Sequence, residues 1–127
     1  MNTIIPEIYS SIHSLLDNYV PPLVPRAGDK SNRYDMYYPY EVELAGRKYP
    51  ELYFAGVAAY DKYVGLYFFP IYSHPNEFTE TPASLRPLLK GKSCFHIKKA
   101  ESQVLGDIKA MLDKGFEFYQ AKGLIRH

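Results

Sequence analysis

The sequence predicts an α+β fold: a two-layer sandwich, with a mainly antiparallel sheet and N- and C-terminal helices packed on one face. Three observations carry that expectation. Apolar residues recur at helical spacing at both ends of the chain, and the stretch between them reads as short strands separated by turn residues. The chain is also the size of one domain, with 127 residues of which 46% are hydrophobic and 23% charged.

Ile8, Ile12, Leu15, Leu16 and Tyr19 share one stripe of a helix over about 5–19, with Pro6 in its first turn and Pro21-Pro22 ending it. Residues 20–33 hold three prolines with Gly28, Asp29, Ser31 and Asn32 and no periodicity, which predicts an irregular surface loop within the domain. From Tyr37 the pattern becomes that of strands. Strands at 40–44 and 48–54 flank Ala45-Gly46, whose glycine suits a tight hairpin turn, and this register sets Glu43 against Lys48. The second strand runs on to Tyr60 with a bend near Pro50, and Asp61-Lys62 turns it into a strand at 63–70. After a polar stretch, 82–89 reads as a short helix with Thr81 as its cap and Pro82 at its first position, stopped by Gly91. A strand at 93–98 precedes the longest helix, 101–121, whose Val104, Leu105, Ile108, Leu112, Phe116 and Tyr119 lie on one face; Gly123 closes it.

Fifteen Lys and Arg against fourteen Asp and Glu leave a net charge of +1, which removes the electrostatic reason to expect nucleic acid or an anionic membrane as partner. The single cysteine, Cys94, excludes an intrachain disulfide framework and every multi-cysteine metal motif, and it fits a reducing compartment. The first basic residue is Arg26, and Pro6, Glu7 and His13 interrupt the opening stretch, so a signal-peptide pattern is missing. The apolar runs 52–60 and 63–73 fall short of the roughly 18–20 residues that span a bilayer. The expected location is the cytoplasm.

The run Tyr63-Val64-Gly65-Leu66-Tyr67-Phe68-Phe69-Pro70-Ile71-Tyr72, followed by Leu89-Lys90-Gly91-Lys92-Ser93-Cys94-Phe95-His96-Ile97-Lys98-Lys99, resembles the YdhG-like family. This bacterial family is largely described as a domain of unknown function, and some members are described as frataxin-like iron chaperones. The likeness covers about 53–119 and includes Gly115-Phe116-Glu117-Phe118-Tyr119. It implies that residues 1–127 form one small α/β sandwich with terminal helices, and it implies no catalytic residues. Where the iron-chaperone description applies, iron held at a surface wants several carboxylate oxygens close together. Glu7 and Asp17 of the first helix stand ten residues apart, too far to share an ion. Glu41 and Glu43 share one strand face and are the residues of that alternative, although Lys48 across from them is a ready ion-pair partner.

Other candidate chemistry is thin. Lys90-Gly91-Lys92-Ser93 has the ending of a P-loop, but Arg86 stands where the first glycine belongs and the segment leads from helix into strand, the reverse of that motif. Cys94 and His96 share a strand face about 6–7 Å apart, yet two ligands do not make a metal site. A structural thiol beside a solvated imidazole is the favoured reading. Ser73-His74, and Ser93 with His96, put hydroxyls near imidazoles without a Gly-x-Ser-x-Gly elbow. No enzyme is expected, and no cofactor outside the iron alternative.

The expected function rests on the Asp61-Lys62 hairpin. Its register sets Ala55, Val57 and Ala59 against Phe68, Leu66 and Val64 on an apolar core face, joined by Phe95 and Ile97. On the other face Tyr60 meets Tyr63, Ala58 meets Gly65, Gly56 meets Tyr67 and Phe54 meets Phe69, with Cys94 and His96 alongside. Small residues flanked by aromatics make a shallow trough, and interior strand glycines often mark close approach by a ligand or another backbone. Tyrosine suits such a place because its ring contacts a partner while its hydroxyl stays wet. The reading is a non-enzymatic domain that binds a small apolar or aromatic ligand, or a protein, through this trough, with a weak homodimer as the expected oligomeric state. The competing reading is that the loop 20–33 covers the trough.

Overall fold

The computed structural model describes residues 4–27 and 32–126. Its elements are α1 (Ile4–Leu16), β1 (Val24–Ala27), β2 (Arg33–Tyr38), β3 (Val42–Leu44), β4 (Arg47–Tyr49), β5 (Leu52–Ala59), β6 (Val64–Phe68), α2 (Phe69–Ser73), β7 (Leu89–Lys90), β8 (Cys94–Ile97) and α3 (Ser102–Ala121). Six strands form one antiparallel sheet in the order β1-β2-β5-β6-β8-β7, and β3 and β4 form a separate hairpin. The fold is α+β, as the end-to-end pattern of the sequence predicts.

The helices exist because their apolar stripes have somewhere to go. Ile5, Ile8, Ile12 and Leu16 of α1 are buried, and a 3-10 turn at Asp17–Tyr19 carries the stripe on to Tyr19. From α3, Val104, Ile108, Met111, Leu112 and Tyr119 are buried. Both stripes meet one face of the sheet, where Met36, Val57, Val64, Leu66, Phe68, Phe95 and Ile97 are fully buried. The Tyr19 hydroxyl donates to Asp113, tying the end of α1 to α3. Burial of this shared face drives the two layers together.

The hairpin at Asp61-Lys62 has the predicted register: Ala59 pairs with Val64, Ala58 with Gly65, Val57 with Leu66, Gly56 with Tyr67 and Ala55 with Phe68. The Ala45-Gly46 turn is also as predicted. Both residues have positive φ, 54° and 78°, the geometry that suits the right-handed twist of a two-residue hairpin, and Glu43 lies opposite Lys48.

Elsewhere the chain departs from the sequence reading. Residues 24–27, expected in an irregular loop, form the edge strand β1, which pairs with β2; residues 28–31 lie outside the described residues. An edge strand tolerates Pro25, and the exposure of all four β1 residues hides the periodicity that marks buried strands. The strand expected from 48 to 60 is two strands. It breaks at Pro50-Glu51, leaving β4 with the small hairpin while β5 joins the large sheet. The strand expected to reach Pro70 ends at Phe68, where Pro70 instead enters the first turn of α2. Thr81 caps no helix: its hydroxyl donates to the Phe78 carbonyl, and the region after it forms turns and a 3-10 turn at Arg86–Leu88.

One correction bears on the trough. The β2–β5 pairing shifts between Met36 and Tyr37, so that Met36 faces Ala55 and Tyr37 faces Tyr53. Phe54 is the extra residue of a β-bulge, and both Phe54 and Ala55 are fully buried. Phe54 packs among Tyr19, Phe68, Phe116 and Tyr119 in the core, and Tyr53 takes the place on the outer face that simple alternation assigns to Phe54.

Candidate functional site

Strand pairing lines up the outer face in two rows. One crosses the sheet as Arg26, Asp35, Gly56, Tyr67 and Cys94; the other as Arg33, Ala58, Gly65 and His96. Gly56, Ala58, Gly65, Tyr67, Cys94 and His96 therefore converge as the sequence suggests, with Tyr60 and Tyr63 at the hairpin end, their rings 4.9 Å apart. Phe69 lies at the opposite end, 6.3 Å from the Tyr53 ring.

The floor of this trough is occupied by the protein itself. A Cβ at Gly56 would stand 1.9 Å from Asp35 Oδ1 and 2.4 Å from the Tyr53 hydroxyl, so glycine is needed there because a carboxylate and a phenol lie against the backbone. Asp35 is only 8% exposed, and it accepts hydrogen bonds from Arg33 Nε at 2.7 Å and Tyr53 Oη at 2.8 Å. Two charge-assisted bonds are what a buried carboxylate requires. The Arg33 guanidinium lies over the Tyr67 ring, 4.5 Å from its centroid, and the Tyr67 and Tyr60 hydroxyls are 2.7 Å apart. A Cβ at Gly65 would meet the rings of Tyr60 and Tyr67 at 3.1 and 3.2 Å. Tyr63 stacks on His96 at 3.9 Å. Of the segment 20–33, residues 24–27 form β1, which widens the sheet at one edge, and Arg33 reaches over Tyr67; residues 28–31 lie outside the described residues.

The ionisable groups of the face are held in their resting forms. Burial, then the Asp35 charge and hydrogen bond, push the Tyr53 phenol up, and burial with the Tyr60 hydrogen bond does the same for Tyr67. Burial opposes the Arg33 charge, but the hydrogen bond and attraction of Asp35 overcome it and raise its pKa. Burial raises the Cys94 thiol against a hydrogen bond from Tyr67, the reverse of an activated thiolate. Desolvation, then Lys90 and Lys98, lower His96.

Open volume borders this face at both ends: a depression of about 510 Å³ lies at the hairpin end beside Tyr60 and Tyr63, and a larger one lies beyond Phe69. A cleft of about 850 Å³ runs between the β3–β4 hairpin, α2 and the segment up to Lys92, walled by Leu44, Tyr49, Phe69, Ile71, Tyr72, Phe78 and Leu89. A hollow of about 250 Å³ lined by Tyr37, Tyr53 and Glu51 shares Leu44, Tyr49 and Phe69 with it. Aromatic rings thus continue from Tyr37 through Tyr53 and Phe69 to Tyr72 at centroid spacings of 5.2, 6.3 and 5.6 Å. Polar groups in the cleft wall are Ser73, Thr79, Thr81, Arg86 and Lys92.

Ser73 Oγ sits 2.8 Å from His74 Nδ1, but it also bonds the fully buried Tyr119 hydroxyl, which directs it inward and ties α2 to α3. Glu41 and Glu43 line a separate depression together with Lys122 and Arg126. Among the described residues no group of three or more His, Cys, Asp and Glu side chains is placed to hold a metal ion, and no helix is long and apolar enough to cross a membrane.

Sequence reasoning missed Arg33, Asp35 and Tyr53. The signal for the first two was available, because Tyr34, Met36 and Tyr38 alternate with Arg33, Asp35 and Tyr37 at period two. The bulge that presents Tyr53 has no signature in the sequence. The cleft also went unseen, because it joins segments 44–49, 69–81 and 86–92, whose meeting depends on tertiary placement. No protein-family model matches the chain, and neither a curated protein nor a solved structure matches it.

Proposed function

We propose that this chain is a cytoplasmic, non-enzymatic, YdhG-like domain that binds a small apolar or aromatic molecule, and that it does so in the cleft at the Phe69 end of the aromatic sheet face. The observation that carries the reading is the cleft itself. At about 850 Å³ it falls within the roughly 300–1,000 Å³ typical of small-molecule sites, and its walls are mainly apolar and aromatic with a few polar groups. The trough over Gly56 and Gly65, by contrast, is filled by Asp35, Tyr53, Tyr60 and Tyr67.

A small panel of aryl and alkyl compounds, screened by thermal shift and followed by calorimetry, tests the reading. Thr79 is exposed and lines the cleft, so Thr79→Trp places a bulky ring in the cleft from a surface position. Binding that is saturable in the native protein and lost in Thr79→Trp supports the cleft. Binding that survives Thr79→Trp and is lost in Gly65→Leu returns the site to the sheet face.

A further inference from the structure

Resting on the proposed cleft, we infer that its ligand is a small organic acid: an aryl or alkyl body carrying a single carboxylate, with Arg86 and Lys92 receiving the charge. The whole chain is nearly neutral, with fifteen basic and fourteen acidic residues, yet the wall of this cleft contains two cations and no Asp or Glu. Among the described residues neither Arg86 nor Lys92 has a carboxylate at ion-pair distance, so both charges are open to a ligand.

Arg86 is also oriented. Its Nε donates to the Thr81 carbonyl at 2.7 Å, which fixes the plane of the guanidinium and leaves its outer edge to pair with an anion. Lys92 Nζ stands 6.0 Å from the centroid of the Tyr72 ring, at the aromatic side of the same cleft. Two cations on a wall that also holds Leu44, Phe69, Ile71 and Leu89 suit an anionic head on an apolar body. A polyphosphate would need more donors and fewer apolar neighbours.

The test compares 4-phenylbutyrate and octanoate with their neutral amides, using calorimetry on the full chain at low salt, with inorganic phosphate as a head-only control. The acids should bind at least tenfold more tightly than the amides, and phosphate should not compete. Lys92→Gln and Arg86→Gln should each weaken the acids several-fold and leave the amides unchanged. Because Arg86 also ties Thr81, the exposed Lys92→Gln carries the test if Arg86→Gln loses thermal stability. Equal binding of acids and amides, or acid affinity indifferent to Lys92→Gln, overturns the inference while leaving the cleft intact as a binding site. Failure of both acids and amides to bind overturns the cleft reading as well.

Discussion

The outer face of β5 and β6 and the cleft beside α2 are made of similar materials, tyrosines with nearby glycines and cations, and they end in opposite states. Over the sheet, each space left by a missing Cβ is taken by a side chain of the same protein: Asp35 and Tyr53 at Gly56, Tyr60 and Tyr67 at Gly65. Beside α2, Tyr49, Phe69 and Tyr72 line an open cleft. Composition marks both places as candidates for contact. What separates them is partnering: Arg33 on the sheet face is paired with Asp35, whereas Arg86 and Lys92 have no carboxylate partner among the described residues. A glycine in a strand therefore signals close approach, and the approaching group can be the protein's own.

The largest effect should come from beneath the closed face. Leu66 is fully buried on the helix side of β6, so Leu66→Ala should cost about 2–5 kcal/mol in urea unfolding. A loss under about 1 kcal/mol would mean that the two faces are inverted. Gly56→Ala comes next: the new methyl displaces a carboxylate held by two hydrogen bonds, which should cost about 2–3 kcal/mol, and an unchanged unfolding midpoint would show that the face over Gly56 is open.

Alkaline unfolding sharpens the same contrast. The Tyr53 phenol is raised by burial and by Asp35, while in the unfolded chain it ionises near pH 10. A raised folded pKa contributes stability that is complete below the unfolded value and is lost as pH climbs above it. Unfolding free energy should therefore hold to about pH 9 and fall beyond about pH 10, less steeply in Tyr53→Phe. Identical slopes in the two proteins would contradict a closed site around Asp35. The smallest effect belongs to Gly65→Ala, where the half-exposed Tyr60 ring can move aside; less than about 1 kcal/mol is expected, and a cost equal to that of Gly56→Ala would show the two glycines to be equally sealed.

These contrasts follow how the fold was legible. Local signals sufficed where a turn fixed the register, as at Asp61-Lys62, or where a stripe met a core, as in α1 and α3. They failed at β1, whose residues are all exposed and so show no alternation, and at Phe54, where a one-residue bulge reversed which ring faces the core. The candidate site was legible in its residues but not in its filling. Gly56, Gly65 and Tyr67 could be placed on one face from the hairpin alone, but the groups that close over Gly56 come from β2 and from the bulged end of β5. The cleft needed the position of the β3–β4 hairpin against α2, which no local pattern encodes.

The claim that the open cleft, and not the glycine-floored sheet face, receives a ligand is tested most directly by a ¹H–¹⁵N correlation spectrum of the full chain titrated with 4-phenylbutyrate. Saturable shifts gathered at Leu44, Tyr49, Ile71 and Gly91, with Gly56, Gly65 and Cys94 unmoved, are the predicted result; shifts centred on Gly56 and Gly65 would contradict it.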